Sequence, residues 1–127
     1  MATMIRLDTH VAVWLYSGEL ERLSAPAAAA VEHEDLVISP IVELEATYLH
    51  EIGRLTVTGA ELTADLRGRV GLALSDLDMA AVVAAAAPLS WTRDPFDRLI
   101  VGDALAANCT LLTKDGTIRE HCPLARW

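Results

Sequence analysis

Residues Leu36-Val37-Ile38-Ser39 form a short extended stretch that is apolar on both faces. An antiparallel strand with one wet face would alternate apolar and polar residues. A strand without alternation belongs in a parallel sheet covered on both sides. Other short segments share this character. Met4-Ile5-Arg6-Leu7 stops at Asp8, Gly71-Leu72-Ala73-Leu74 follows a polar stretch, and residues 109–113 end at the turn Lys114-Asp115-Gly116.

Helical signals fill the intervals. Residues 10–16 read as a helix broken by Ser17-Gly18, and Ser24 and Pro26 fit the N-cap and first turn of another, which ends near the acidic cluster 32–35. Pro40 opens a helix reaching about Ile52 and closed by Gly53, and residues 58–70 form a more polar one. Asp76 or Asp78 caps an alanine-rich helix that ends before Pro88. Asp94-Pro95 starts a helix reaching about Ala107, with Asn108 as C-cap, and residues 121–127 supply a last edge strand. Strand and helix alternate throughout. The prediction is a single α/β domain over residues 1–127, an α/β/α sandwich around a short, mostly parallel central sheet.

In such a sheet, ligands bind outside the carboxyl ends of the strands. Four acids far apart in sequence fall on that edge: Asp8 after the first strand, Glu43 in the first turn of the helix after the second, Asp97 in the first turn of the helix after Arg93, and Asp115 after residues 109–113. Two unit charges about 5 Å apart repel by roughly 3 kcal/mol at an effective dielectric of 20. Four bare carboxylates at one place must therefore be protonated, spread apart or neutralised by a cation. Oxygen-only ligands favour Mg2+ or Mn2+ over zinc, and such ions activate water and stabilise the leaving oxygen in phosphodiester cleavage.

Each acid also has a purely local explanation. Asp94-Pro95-Phe96-Asp97 is a good helix start, with Asp94 as N-cap. Asp8 can cap the next helix, Glu43 can favour its helix dipole, and Asp115 can be an ordinary turn residue. Asp103 is expected in solvent or paired with Arg98 or Arg6. It is the joint placement of the four acids that points to a site.

Composition narrows the partners. The net charge of -8 excludes a protein that coats duplex nucleic acid electrostatically. Any contact with nucleic acid must be local, and the one lysine is Lys114. The 53% hydrophobic content is compatible with an oligomer face or a partner groove. Two cysteines, Cys109 and Cys122, are not a disulfide framework, and no histidine or cysteine pair has zinc-site spacing. No apolar run is long enough for a membrane span, and residues 1–8 do not resemble a secretory signal. The expected location is the cytoplasm.

Together the segments Leu7-Asp8-Thr9-His10 with Trp14 following, Ile38-Ser39-Pro40-Ile41-Val42-Glu43-Leu44, Asp94-Pro95-Phe96-Asp97-Arg98-Leu99-Ile100, Leu111-Leu112-Thr113-Lys114-Asp115 and the closing Trp127 resemble, over essentially the whole chain, the PIN-domain ribonucleases, in particular the VapC-type toxins of bacterial toxin–antitoxin pairs. The resemblance implies a PIN-like domain and a Mg2+- or Mn2+-dependent endoribonuclease. Its acidic site would be Asp8, Glu43, Asp97 and Asp115, with Asp8 and Asp97 as direct metal ligands. Glu43 would hold metal or orient the attacking water, and Asp115 would act through water. Thr113 would hydrogen-bond a ligand or simply be a buried strand threonine. Asp94 would cap, with an outer role at the site. Arg98 and Arg93 would meet RNA phosphates or pair with a nearby acid. The family pattern also implies an RNA substrate, a cognate antitoxin whose segment blocks the site from an apolar groove, and a homodimer. Where the subgroup often has histidine before Arg-Asp-Pro, this chain has Thr92.

Two alternatives belong to other functional classes. A receiver-like phosphoacceptor domain also clusters acids at strand ends, but it needs adjacent acids after the first strand, where this chain has Asp8-Thr9. A PIN-like binding module without catalysis would not bind Mg2+ or Mn2+.

Overall fold

The computed structural model describes residues 3–127; Met1 and Ala2 lie outside the described residues. Five strands form one sheet in the order β3-β2-β1-β4-β5, and every neighbouring pair is parallel. They are β1 (Met4–Leu7), β2 (Asp35–Ile38), β3 (Ala73–Leu74), β4 (Leu111–Leu112) and β5 (Ala125–Arg126). In β1 and β2 all but the first residue is buried, as strands covered on both faces require.

The helices are α1 (Thr9–Ser17), α2 (Ala25–His33), α3 (Pro40–Glu51), α4 (Gly59–Val70), α5 (Met79–Ala86), α6 (Pro95–Ala107) and α7 (Gly116–His121), with a short 3-10 turn at Leu20–Arg22. Connections between parallel strands are right-handed, so the reversal in the order of strand addition after β3 puts α1–α4 on one face and α5–α7 on the other. The side chains agree. Ile5 and Leu112 face α2, whereas Arg6 reaches Asp103 of α6. The core is built from Leu7, Ile38, Val42, Leu62, Leu66, Ile100, Val101 and Leu111, all at most 2% exposed.

Local chemistry explains most boundaries. Ser24, Ser39, Thr58 and Asp94 cap their helices with side-chain oxygens, and Thr58 and Glu61 form a capping box. Asn108 closes α6 in the left-handed region, at φ 50°. Three expectations need correction. Asp78 stands at the N-cap of α5 without a side-chain bond. The expected strand 109–113 forms ladder pairs only at Leu111 and Leu112. Residues 116–121 are helical, and Asp115 is the N-cap of that helix, bonding Ile118 N–H at 2.9 Å, so the last strand is confined to Ala125–Arg126.

Gly102 allows α5 and α6 to pack closely: a Cβ there would stand 2.8 Å from Ala86 Cβ and 2.9 Å from Val82 O. On the same face, Asp103 is 2% exposed and binds Arg6 Nε at 2.5 Å, while Ser75 Oγ donates to its other oxygen at 2.8 Å and accepts from Arg6 at 3.1 Å. Of the partners foreseen for Asp103, the one it takes is Arg6. The pair ties β1 and the end of β3 to α6.

Candidate active site

The strand order reverses direction between β1 and β4, and open α/β sheets bind ligands at such a switch point. A pocket of about 350 Å3 lies there, lined by Asp8, Glu45, Asp94, Asp97 and Asp115 together with His10, Val11, Trp14 and Lys114.

Asp8 follows β1 and is 7% exposed. One carboxylate oxygen caps α1 through Thr9 N–H at 2.8 Å, and the other accepts from Thr113 Oγ1 at 2.6 Å. The same Thr113 hydroxyl accepts from Asp115 N–H at 3.1 Å. Thr113 is thus fully buried at the end of β4, and it fixes the rotamer of Asp8 and the start of α7 at once. Asp94 caps α6 through Phe96 N–H at 2.8 Å, and Thr92 Oγ1 receives Asp94 N–H at 3.2 Å. Thr92 therefore shapes the backbone that delivers Asp94 and Asp97. Capping and pocket lining coincide for Asp8, Asp94 and Asp115, so the local and functional explanations of these acids are not rivals.

Two sequence expectations are corrected. Glu43 does not line the pocket; it faces α4, where Thr63 Oγ1 donates to it at 3.1 Å. Glu45 takes its place, held by Thr9 Oγ1 at 2.5 Å. Two residues along an α-helix turn the side chain through about 200°, so both glutamates flank the buried Val42–Ala46 stripe on opposite sides. Arg98 does not enter the pocket either. It binds the carbonyls of Ala86 and Ala87 at 3.2 and 2.8 Å, closing the C-terminus of α5. His10, Trp14 and Lys114 were not singled out as site residues, although Val11 follows Asp8, and Trp14 follows Val11, at i+3 spacing.

The carboxylates are electrostatically frustrated. Burial, then the charges of Asp8, Asp94, Glu45 and Asp115, push the Asp97 carboxyl up to about 7. Burial raises Asp8 as well, against the hydrogen bonds from Thr113 and Thr9 that favour its anion. Glu45 is raised first by burial and then by Asp8 and Asp94, against the bond from Thr9. A cation placed among them would relieve repulsion that the protein has not relieved itself. Among the described residues no three His, Cys, Asp or Glu side chains converge into a finished metal cage. The donor set suits a hard ion that keeps several waters and needs only one or two carboxylates.

The sequence matches the PIN domain family over residues 5–122. It is 37% identical over 125 residues to Ribonuclease VapC22 of Mycobacterium tuberculosis (strain ATCC 25618 / H37Rv), covering 94% of this chain and 92% of the relative. The fold is similar to that in the crystal structure of VapBC2 from Rickettsia felis bound to a DNA fragment from their promoter, with TM-score 0.70, 17% identity, and coverage of 98% of this chain and 99% of the other. It is also similar to a toxin–antitoxin complex from Klebsiella pneumoniae, with TM-score 0.66, 15% identity, and 97% and 96% coverage. DNA-bound VapBC from Salmonella typhimurium gives TM-score 0.62 at 20% identity, covering 99% and 96%. The strand order also differs from the 2-1-3-4-5 order of receiver domains, which removes that alternative. With carboxylates gathered at the switch point of a parallel sheet and a family match that spans it, the chain belongs to the PIN-domain family.

Proposed function

We propose that this protein is a Mg2+- or Mn2+-dependent endoribonuclease and the toxin of a toxin–antitoxin pair. The observation that carries the reading is the convergence of Asp8, Glu45, Asp94, Asp97 and Asp115 on one pocket, in a chain closely similar to a named ribonuclease.

Asp8 and Asp97 would hold the ion, with Asp94 and Asp115 acting through water. When bound, the ion neutralises phosphate charge and acidifies water. The chain's own residues do the rest. Thr113 and Thr9 N–H keep the Asp8 carboxylate aimed at the pocket. Thr9 Oγ1 holds Glu45 in the orientation from which its carboxylate takes a proton from the attacking water. Hydrolysis then breaks one P–O bond of the RNA backbone. Glu43 has no part in this reading.

The protein partners follow from apolar surface. Leu44 and Tyr48 of α3 and its C-cap Ile52 are 55%, 47% and 46% exposed at four-residue spacing, and Tyr48 meets Phe96 of α6 at 5.9 Å between ring centroids. Val83 of α5 and Leu99 of α6 line a further apolar hollow. The α3 face suits a second copy of the chain. A separate groove between α1, α2 and α4, lined by Leu15, Leu20, Leu23, Val31 and Val70, suits an antitoxin segment. The expected compartment is the cytoplasm; no helix among the described residues is long and apolar enough to cross a membrane.

The deciding experiment is cleavage of RNA by purified protein with EDTA or Mn2+. Mn2+-stimulated cleavage that disappears in Asp8→Asn and Asp97→Asn, both still folded by circular dichroism, is the expected result. Undiminished cleavage by the double variant refutes the assignment. Absence of Mg2+ or Mn2+ binding at millimolar concentration would favour the inert binding module instead.

A further inference from the structure

The pocket has a second chemistry beside its acids. From α1, Val11 and Trp14 line it, and Trp14 has two cations and two further rings around it. Arg22 Cζ lies 5.7 Å and Lys114 Nζ 5.9 Å from its ring centroid. The His10 ring is 6.1 Å away, and Trp127 meets Trp14 edge-on at 6.1 Å with an interplanar angle of 61°. The chain carries 18 acids and a single lysine, and that lysine stands here. A polyanion approaching five carboxylates is repelled over most of the pocket. Close binding needs an attraction that is not purely ionic, and an aromatic face with cations nearby supplies it. Base–aromatic stacking is tolerant of sequence and adds to the pull of Lys114, while Arg22, paired with Glu19 at 2.9 Å, borders the ring.

We propose that Trp14, with Lys114 and Arg22, forms a stacking subsite for an unpaired base of the RNA next to the scissile phosphate. The proposal rests on the endoribonuclease reading and adds how the strand is held. Asp8 is the N-cap of α1 and Trp14 stands six residues further on, about 9 Å of axial rise, so the carboxylate that would hold the ion and the ring that takes the base are set by a single rigid element. Lys114, one residue before Asp115, meets the adjoining phosphate. A base already paired and stacked in a duplex cannot lie on the ring, so the subsite selects single-stranded RNA or loops.

The test measures binding of a short fluorescent single-stranded oligoribonucleotide, with Mg2+, in a cleavage-silent Asp97→Asn background. Trp14→Leu should weaken binding about five- to a hundredfold, and Trp14→Phe should restore most of it. Lys114→Gln should lower the slope of log affinity against log salt by about 0.7. Trp14 also packs against Trp127, so a second readout separates contact from fold. Removing single bases along the oligonucleotide should reveal one position where the background protein loses affinity and Trp14→Leu loses none further. A folded Trp14→Leu that binds as tightly as its background, or that still senses the missing base, overturns the subsite alone. If the unsubstituted protein neither binds nor cleaves RNA, the endoribonuclease reading falls and the subsite with it.

Discussion

Replacing Asp97 by Asn should make the metal-free protein more stable, although it removes a residue proposed for catalysis. The carboxyl is raised from an ordinary 3.8 to about 7, first by burial and then by Asp8, Asp94, Glu45 and Asp115. Among the described residues no donor lies within hydrogen-bond distance of that carboxylate, so Asn breaks no bond while removing a charge. At 1.36 kcal/mol per tenfold change in proton affinity, the rise from 3.8 to about 7 has a ceiling of about 4 kcal/mol. Asp97 is only half-buried, and solvent screening reduces the expected effect to about 1–2 kcal/mol. The sign follows from linkage: the folded state holds the proton more tightly than the unfolded chain. The relative stability is therefore complete below about pH 4 and is lost as pH rises through about 7. At pH 8 in EDTA, Asp97→Asn should melt about 3–10 °C above the parent; at pH 5 roughly a third of that gain should remain. Added Mg2+ or Mn2+ should raise the parent more than the variant, because the ion relieves the same repulsion. Differential scanning calorimetry at the two pH values reads all three effects. A variant less stable than its parent at pH 8 without metal would refute the reasoning, since the acids would then not be in mutual conflict.

Further expectations follow from the same geometry. Glu45→Gln should reduce Mn2+-stimulated cleavage by at least about a hundredfold, whereas Glu43→Gln should stay within a few-fold of the parent; equal losses would place both glutamates in the chemistry. Mn2+ affinity should rise between pH 6 and pH 8, because binding displaces the proton that Asp97 holds up to about 7, and calorimetry in buffers of different ionisation enthalpy should detect its release. Arg6→Met strands the buried Asp103 carboxylate and should cost about 3–5 kcal/mol in urea unfolding, with most of the loss recovered when Asp103→Leu is added. Gly102→Ala should cost about 1–3 kcal/mol by forcing α5 and α6 apart, measured the same way.

Much of the architecture was legible in the residues. Strands apolar on both faces required a sheet covered on both sides, and the caps Ser24 and Asp94 with Pro26, Pro40 and Pro95 marked helix starts that the structure keeps. These are local effects, fixed by backbone donors within three residues of each cap. The shortest strands were less legible. A two-residue ladder such as β4 or β5 is held by its neighbours rather than by its own composition, and α7 was hidden because its N-cap, Asp115, also reads as a turn residue.

The sequence by itself determined that acids would stand at the carboxyl edge of a parallel sheet, because strand ends and helix starts are set by short-range pattern. It could not choose between Glu43 and Glu45. Both border the apolar stripe of α3 at nearly opposite angles, and either could face a site from the sequence alone. The choice came from packing: α4 lies against the Glu43 side so closely that Gly59 has no room for a Cβ beside the Glu43 carbonyl. That leaves the Glu45 side to Thr9 and the pocket. Likewise only the fold brought Trp14, Arg22 and Lys114 together. Helical periodicity fixes which residues share a face, but which neighbour that face meets is decided by contacts between segments far apart in the chain.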